Sequence, residues 1–182
     1  RSIQLCNKGI YEKERQKSCQ LKPLCIGHAN GKTSERGDGG VVLMIKTSRQ
    51  LKDKVRNMAR GDSAKAQLLI RNYGMERFLE RVSLSEHRDN FILKGGMLVS
   101  AMVGLENRAT MDIDTSIRNM PLDTIAAKAM VEEIIAVPVD DNIRFEINDF
   151  GTIMDDAEYS GVRISLNAFL DATRIPLKID IS

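Results

Sequence analysis

Two aspartates one residue apart, Asp112 and Asp114 in the run MDIDTSI, are the acids of this chain whose spacing best suits chemistry. The run alternates like a strand, and a period of two puts both carboxylates on one face, with Ile113, Thr115 and Ile117 on the other. Two strand rises of roughly 3.3 Å would set their Cα atoms about 6.6 Å apart. Carboxylates aimed the same way at that separation can share divalent cations. Hard Mg²⁺ takes one or two protein carboxylates and completes its octahedron with phosphate oxygens and water. Two solvated acids on an edge strand would give the same letters, and D-x-D alone does not decide between these readings.

Two further features bear on that choice. In FILKGG a short apolar strand ends at Lys94, and Gly95 and Gly96 open the segment MLVSAMVGL, which is of helical length. Backbone N–H groups and a helix start can point there at an anion with no side chain in the way, although a Gly-Gly turn also serves geometry alone. Further on, IPLKIDIS places Lys178 and Asp180 on one face, opposite Ile175, Leu177, Ile179 and Ile181. If that strand lies beside the D-x-D strand, Asp180 becomes a third carboxylate, as ligand and general base. Three acids and a glycine turn suit a two-metal mechanism, in which one metal activates the attacking oxygen and another holds a triphosphate. An exposed surface acid is the alternative at Asp180.

The elements that must position these residues follow from periodicity. From Met44, Leu51, Val55 and Met58 recur three and four apart, as in a helix. Asp62 and Ser63 can cap a second helix through AKAQLLIRNYGMERFLERV, with Leu68, Met75, Phe78, Leu79 and Val82 on an apolar stripe. Gly74 weakens that helix by roughly 1 kcal/mol relative to alanine. The two helices are expected to show water Lys52, Lys54, Arg56, Arg60, Lys65, Arg71, Arg77 and Arg81. The pattern then turns to strand, helix, strand, and a helix over PLDTIAAKAMVEEIIA with Pro121 in its first turn and Ala127, Met130, Val131 and Ile134 inward. Three alternating runs, NIRFEIN, GVRISLNAFLD and IPLKIDIS, complete a small mixed sheet with helices packed on it. The acids Asp140, Asp141, Asp155, Asp156 and Glu158 read as turn and loop residues without a role, and His87 reads as a surface histidine.

A length of 182 residues, with 42% hydrophobic and 29% charged, fits one ordinary globular domain, and no apolar run approaches a membrane span. The beginning of the chain does not read as a secretory signal, so the cytoplasm is the default. The net charge of +2 divides unevenly: 8 Lys+Arg against 4 Asp+Glu in residues 1–43, 12 against 6 in 44–94, and 7 against 15 in 95–182. Such asymmetry fits a protein holding cations in one place and a polyanion in another, or solvated faces alone. Cys6, Cys19, Cys25 and His28 all fall in the first 43 residues at spacings unlike zinc patterns. That segment, residues 1–43, reads as an added or mis-called leader, poorly ordered, with the functional protein beginning at Met44. The G-x-x-x-x-G-K-[ST], G-x-G-x-x-G and G-x-S-x-G signatures are absent from the sequence.

A strand ending in Gly-Gly, a helix, a strand with D-x-D, and a later strand with one more Asp together resemble the DNA polymerase beta-like nucleotidyltransferases. More narrowly, FILKGGMLVSAMVGLENRATMDIDTSI with VEEIIAVPVDDNIRFEI and RIPLKIDIS resembles the AbiEii-type abortive-infection family of nucleotidyltransferase toxins, over residues 44–182. The resemblance implies an α/β (α+β) fold: a basic helical segment over 44–90, then over 91–182 the small mixed sheet of that nucleotidyltransferase type. It implies a toxin that transfers nucleotide from a nucleoside triphosphate, with Mg²⁺, to an acceptor, which is the tRNA 3′ end in some members. A cognate antitoxin is the implied protein partner. By position, Lys94, Gly95 and Gly96 would hold the triphosphate and Asp112 and Asp114 the metal, with Asp180 as the third acid. Relatives often have Ser where this chain has Gly96, leaving that work to backbone amides. The family continues past the KIDI strand into a helical region with a Lys-bearing helix, so the chain reads as an amino-terminal portion whose end should leave apolar surface uncovered. Two other readings stay open: an incomplete fragment or pseudoenzyme that binds nucleotide or a partner protein, and nucleotide transfer to a small molecule. An extended cationic surface favours a nucleic-acid acceptor over a small one.

Overall fold

A computed structural model of the chain describes residues 44–96, 112–119, 123–153 and 161–182. The expected leader, the helix over MLVSAMVGL, Pro121, and the acids Asp155, Asp156 and Glu158 lie outside the described residues. Helix α1 spans Ser48–Ala59 and begins with a capping box. The Thr47 hydroxyl accepts from the Gln50 backbone N–H while the Gln50 side chain accepts from that of Thr47. Leu51, Val55 and Ala59, four apart, are its buried stripe. Helix α2, Ser63–Leu84, is capped by Asp62, which accepts from the Lys65 N–H. Helix α3, Thr124–Ala136, is capped by Asp123, which accepts from the Ala126 N–H. The residues expected inward on α3 are the ones buried.

The five strands are β1 (Phe91–Lys94), β2 (Ile113–Ile117), β3 (Ile143–Ile153), β4 (Gly161–Leu170) and β5 (Thr173–Ile181). They form one sheet in the order β1-β2-β5-β4-β3. All neighbours are antiparallel except β2 and β5, which run parallel. The β4–β5 hairpin turns at Asp171 and Ala172, with Asp171 at φ 50°, a conformation that suits a two-residue hairpin loop. The mixed α/β architecture is the one the periodicity implied.

One face of this sheet is the core. Phe91, Leu93, Ile113, Thr115, Ile164, Leu166, Ile175, Leu177, Ile179 and Ile181 are buried, together with the inner sides of the helices. Helix α2 lies against β5 at Gly74. A Cβ there would stand 3.1 Å from Ile175 Cγ2 and 3.2 Å from Leu177 Cδ2, so the glycine that costs helix propensity lets backbone and strand approach. Phe78 on the same helix meets Phe91 and Phe145 with ring centroids 6.1 and 6.2 Å apart.

The basic face expected on the helices is only partly there. Lys52, Arg56 and Arg60 are exposed, but Arg77 and Arg81 are buried. The buried side of α2 is broader than a three-and-four stripe because the helix packs against α1, α3 and β5. Arg81 donates to both oxygens of Asp141 at 2.8 and 2.9 Å, and to the carbonyls of Arg77 and Ile143. Its guanidinium lies over the Phe145 ring, 4.8 Å from the centroid. Asp141, read from sequence as a turn acid without a role, is completely buried and also accepts from the Ile143 N–H. Further charges join the same two regions: Lys46 with Asp140 at 2.6 Å, His87 with Glu133 at 2.5 Å, and the Ser48 N–H with Asp171 at 2.7 Å. Part of the asymmetry between basic and acidic segments thus goes into docking one onto the other, through Lys46 and Arg81. No helix among the described residues is long and apolar enough to cross a membrane.

Candidate active site

The period of two that buries one side of each strand sends the alternate residues to the opposite face, where they are half-buried or exposed. Strand register then decides which of them become neighbours. Lys94 of β1 is the Cα partner of Asp114 on β2, Asp114 that of Asp180 on β5, and Asp180 that of Arg163 on β4. Four charged side chains thus form a row across four strands, in the order cation, anion, anion, cation. The condition set for Asp180 is met: the KIDI strand does lie beside the D-x-D strand. Asp112 sits in a bend just before β2, half-buried, two residues back from Asp114.

The glycine turn touches this row directly. Gly95 has φ +61°, and a Cβ there would fall 2.0 Å from Asp114 Oδ2 and 2.8 Å from its Cγ. Only glycine meets both demands, a left-handed backbone and no side chain against the carboxylate. The strand ends at Lys94 and helical backbone begins at Gly95; Gly95 is exposed and Gly96 buried. Inside the sheet, the Thr115 hydroxyl donates to the Ile92 carbonyl at 2.9 Å, tying β2 to β1 beneath the site. The Ser182 N–H donates to the Thr115 carbonyl at 2.9 Å and extends the β2–β5 pairing past the end of β5.

Arg163 was not singled out by the sequence reading. Its Nε donates to Asp180 Oδ1 at 2.8 Å and a terminal nitrogen to Oδ2 at 2.6 Å, a fork that takes both carboxylate oxygens. The pair is near water, with the Arg163 side chain 46% and the Asp180 side chain 22% exposed. The signal was present in the sequence: folding GVRISLNAFL onto TRIPLKIDI about Asp171 and Ala172 sets Arg163 opposite Asp180.

The donor set fits a hard divalent cation. Asp114 and Asp180 offer carboxylate oxygens from adjacent strands on one face, and Asp112 is close by in sequence, which matches the one or two carboxylates that Mg²⁺ takes beside phosphate. Among the described residues, no group of three or more His, Cys, Asp and Glu stands together closely enough to hold a metal. The grip of Arg163 on Asp180 is consistent with that. A cavity of about 490 Å³ lies between α3 and β3, lined by Lys128, Glu132, Glu146 and Phe150 among others. It contains none of the row.

A family model described as "Nucleotidyl transferase AbiEii toxin, Type IV TA system" matches residues 77–182, more than half of the chain and including every strand. No curated protein and no solved structure matches it.

Proposed function

Because the chain belongs to the AbiEii nucleotidyl transferase toxin family of type IV toxin–antitoxin systems, we propose that it moves a nucleotide from a nucleoside triphosphate to tRNA in the cytoplasm. In this reading Asp114 and Asp180, register partners, would hold Mg²⁺ with Asp112 drawn in beside them, and the ion would neutralise the triphosphate and the charge developing on it. Lys94 and the backbone of Gly95 and Gly96 receive the phosphates at the end of β1. An acceptor hydroxyl attacks the α-phosphorus. A new O–P bond forms, the bond from the α-phosphorus to the bridging oxygen breaks, and pyrophosphate leaves. Asp180 takes the hydroxyl proton. Lys52 and Arg56, exposed on α1, and Arg60 at its C-cap offer an RNA backbone a cationic surface.

The observation that carries this reading is the contact of Gly95 with the Asp114 carboxylate, in a row where Asp114 and Asp180 are register partners. It joins the anion-binding turn to the acids within one small patch. The test is transfer of labelled nucleotide to total tRNA by the full-length protein. Wild type should label tRNA and Asp112→Ala should not; equal labelling by both refutes the assignment.

A second reading, nucleotide binding without turnover, is favoured by one feature: both oxygens of the expected base are engaged by Arg163. It expects saturable triphosphate binding with no labelled product under any metal condition. Transfer to a small molecule instead would give a labelled product that is not RNA.

A further inference from the structure

The proposed site contains a cation of its own. Asp114 and Asp180 face the same side of adjacent parallel strands as Cα partners, and neighbouring strands lie about 4.8 Å apart. Like charges placed directly opposite one another destabilise a sheet unless a cation lies with them. Arg163 meets that need from the far side of Asp180, with one nitrogen on each carboxylate oxygen. Its planar fork matches a carboxylate edge and stays charged at any working pH.

We infer that Arg163 is a built-in competitor of the catalytic metal. It holds Asp180 while the site is empty of metal and must yield at least one oxygen before Asp180 can act as ligand or base. The inference rests on the metal-site reading above. Exposure favours release: a charged pair this open to water contributes little net stability, so a divalent cation on the same carboxylate can take its place. The buried Arg81–Asp141 pair is also a two-point fork, made end-on through both terminal nitrogens, but it lacks that freedom, since its side chains are 3% and 0% exposed. Arg163 therefore acts through Asp180 as a positioning residue. Its effect on metal affinity is opposite in sign to that of a residue that merely supports the site. Removing a support weakens metal binding, whereas removing a competitor tightens it.

The test is Mn²⁺ binding to the purified full chain without nucleotide, followed by calorimetry or by the resonance signal of free Mn²⁺. Arg163→Gln should bind Mn²⁺ about tenfold more tightly than wild type, a size typical of coupling between contacting residues. Arg163→Lys, which keeps the charge but loses the fork, should fall between the two. In an Asp180→Asn background the Arg163→Gln change should leave affinity unaltered. Far-ultraviolet circular dichroism checks folding, and Arg163→Lys serves if the glutamine variant does not fold. Unchanged or weaker Mn²⁺ binding in folded Arg163 variants, with wild-type binding abolished by Asp114→Asn, overturns the competitor role and leaves the metal site standing. No Mn²⁺ binding by wild type, or binding indifferent to Asp114→Asn, overturns the metal site and the competitor role with it.

Discussion

Two arginine forks in this molecule each engage both oxygens of an aspartate, Arg81 end-on through its two terminal nitrogens and Arg163 side-on through Nε and one terminal nitrogen, and they do different work. Arg81 holds Asp141 between α2 and the start of β3, with both side chains out of water. Arg163 holds Asp180 on the open face of the sheet, where the arginine is nearly half exposed. At the buried pair, further partners serve the desolvated groups: the Ile143 N–H donates to the carboxylate and two carbonyls accept from the terminal nitrogens of the guanidinium, leaving Arg81 Nε as its buried nitrogen without a partner among the described residues. Breaking one side of such a pair strands a charge without water, which typically costs about 3–5 kcal/mol, whereas an exposed pair is worth about 0–1 kcal/mol. Two-point contact alone therefore does not tell a lock from a latch; access to water does.

The largest expected effect follows from the lock. Asp141→Ala should destabilise the protein by about 3–5 kcal/mol, read as a shift in the urea midpoint. A loss below about 1 kcal/mol would remove the distinction between the two pairs. Replacing Arg81 and Asp141 together by Met and Leu should recover much of that loss, because no charge is then left unpaired.

A smaller effect is expected where the same helix meets the sheet. Gly74→Val adds atoms against Ile175 and Leu177, which a Cβ would already approach to 3.1 and 3.2 Å. Overpacking of this kind should cost about 1–3 kcal/mol in the same denaturation measurement. If Gly74→Val is neutral, α2 does not lie as close to β5 as described.

The buried side should also respond to alkali. Burial pushes the Tyr73 hydroxyl from its ordinary 10 up to about 12, against the nearby Arg77, which lowers it. The hydroxyl donates to the Ile45 carbonyl at 3.1 Å. Between pH 10 and 12 the unfolded chain binds fewer protons than the folded one, so stability should fall as pH rises through that window. Tyr73→Phe should flatten the decline; an equal slope in both proteins would assign it elsewhere. Last, Arg163→Gln should change folding stability by less than about 1 kcal/mol. A large loss would make Arg163 a second lock.

Much of the open face was legible in the sequence, because strand periodicity fixes sides. The alternation of IDTSI and KIDI sent Asp114 and Asp180 away from the core, and the capping acids and glycine breaks marked where elements begin. Register was less legible. Only the parallel pairing of β2 with β5 puts Asp114 beside Asp180, and that pairing depends on long-range contacts no local pattern carries. Asp112 falls just outside the strand that was to align it with Asp114. The lock was missed altogether. An arginine at a helical spacing reads as solvated surface until the acid that neutralises it, 60 residues later, is known to lie against it.

The central claim is nucleotidyl transfer at the row of charges, and the position of the label in the triphosphate tests it most directly. Full-length protein should be incubated with tRNA and triphosphates labelled at either the α- or the γ-phosphorus. The α-label should pass to tRNA, the γ-label should leave as pyrophosphate, and Asp114→Asn should abolish both. Retention of γ-label on the acceptor, or α-label transfer undiminished by Asp114→Asn, would contradict the account.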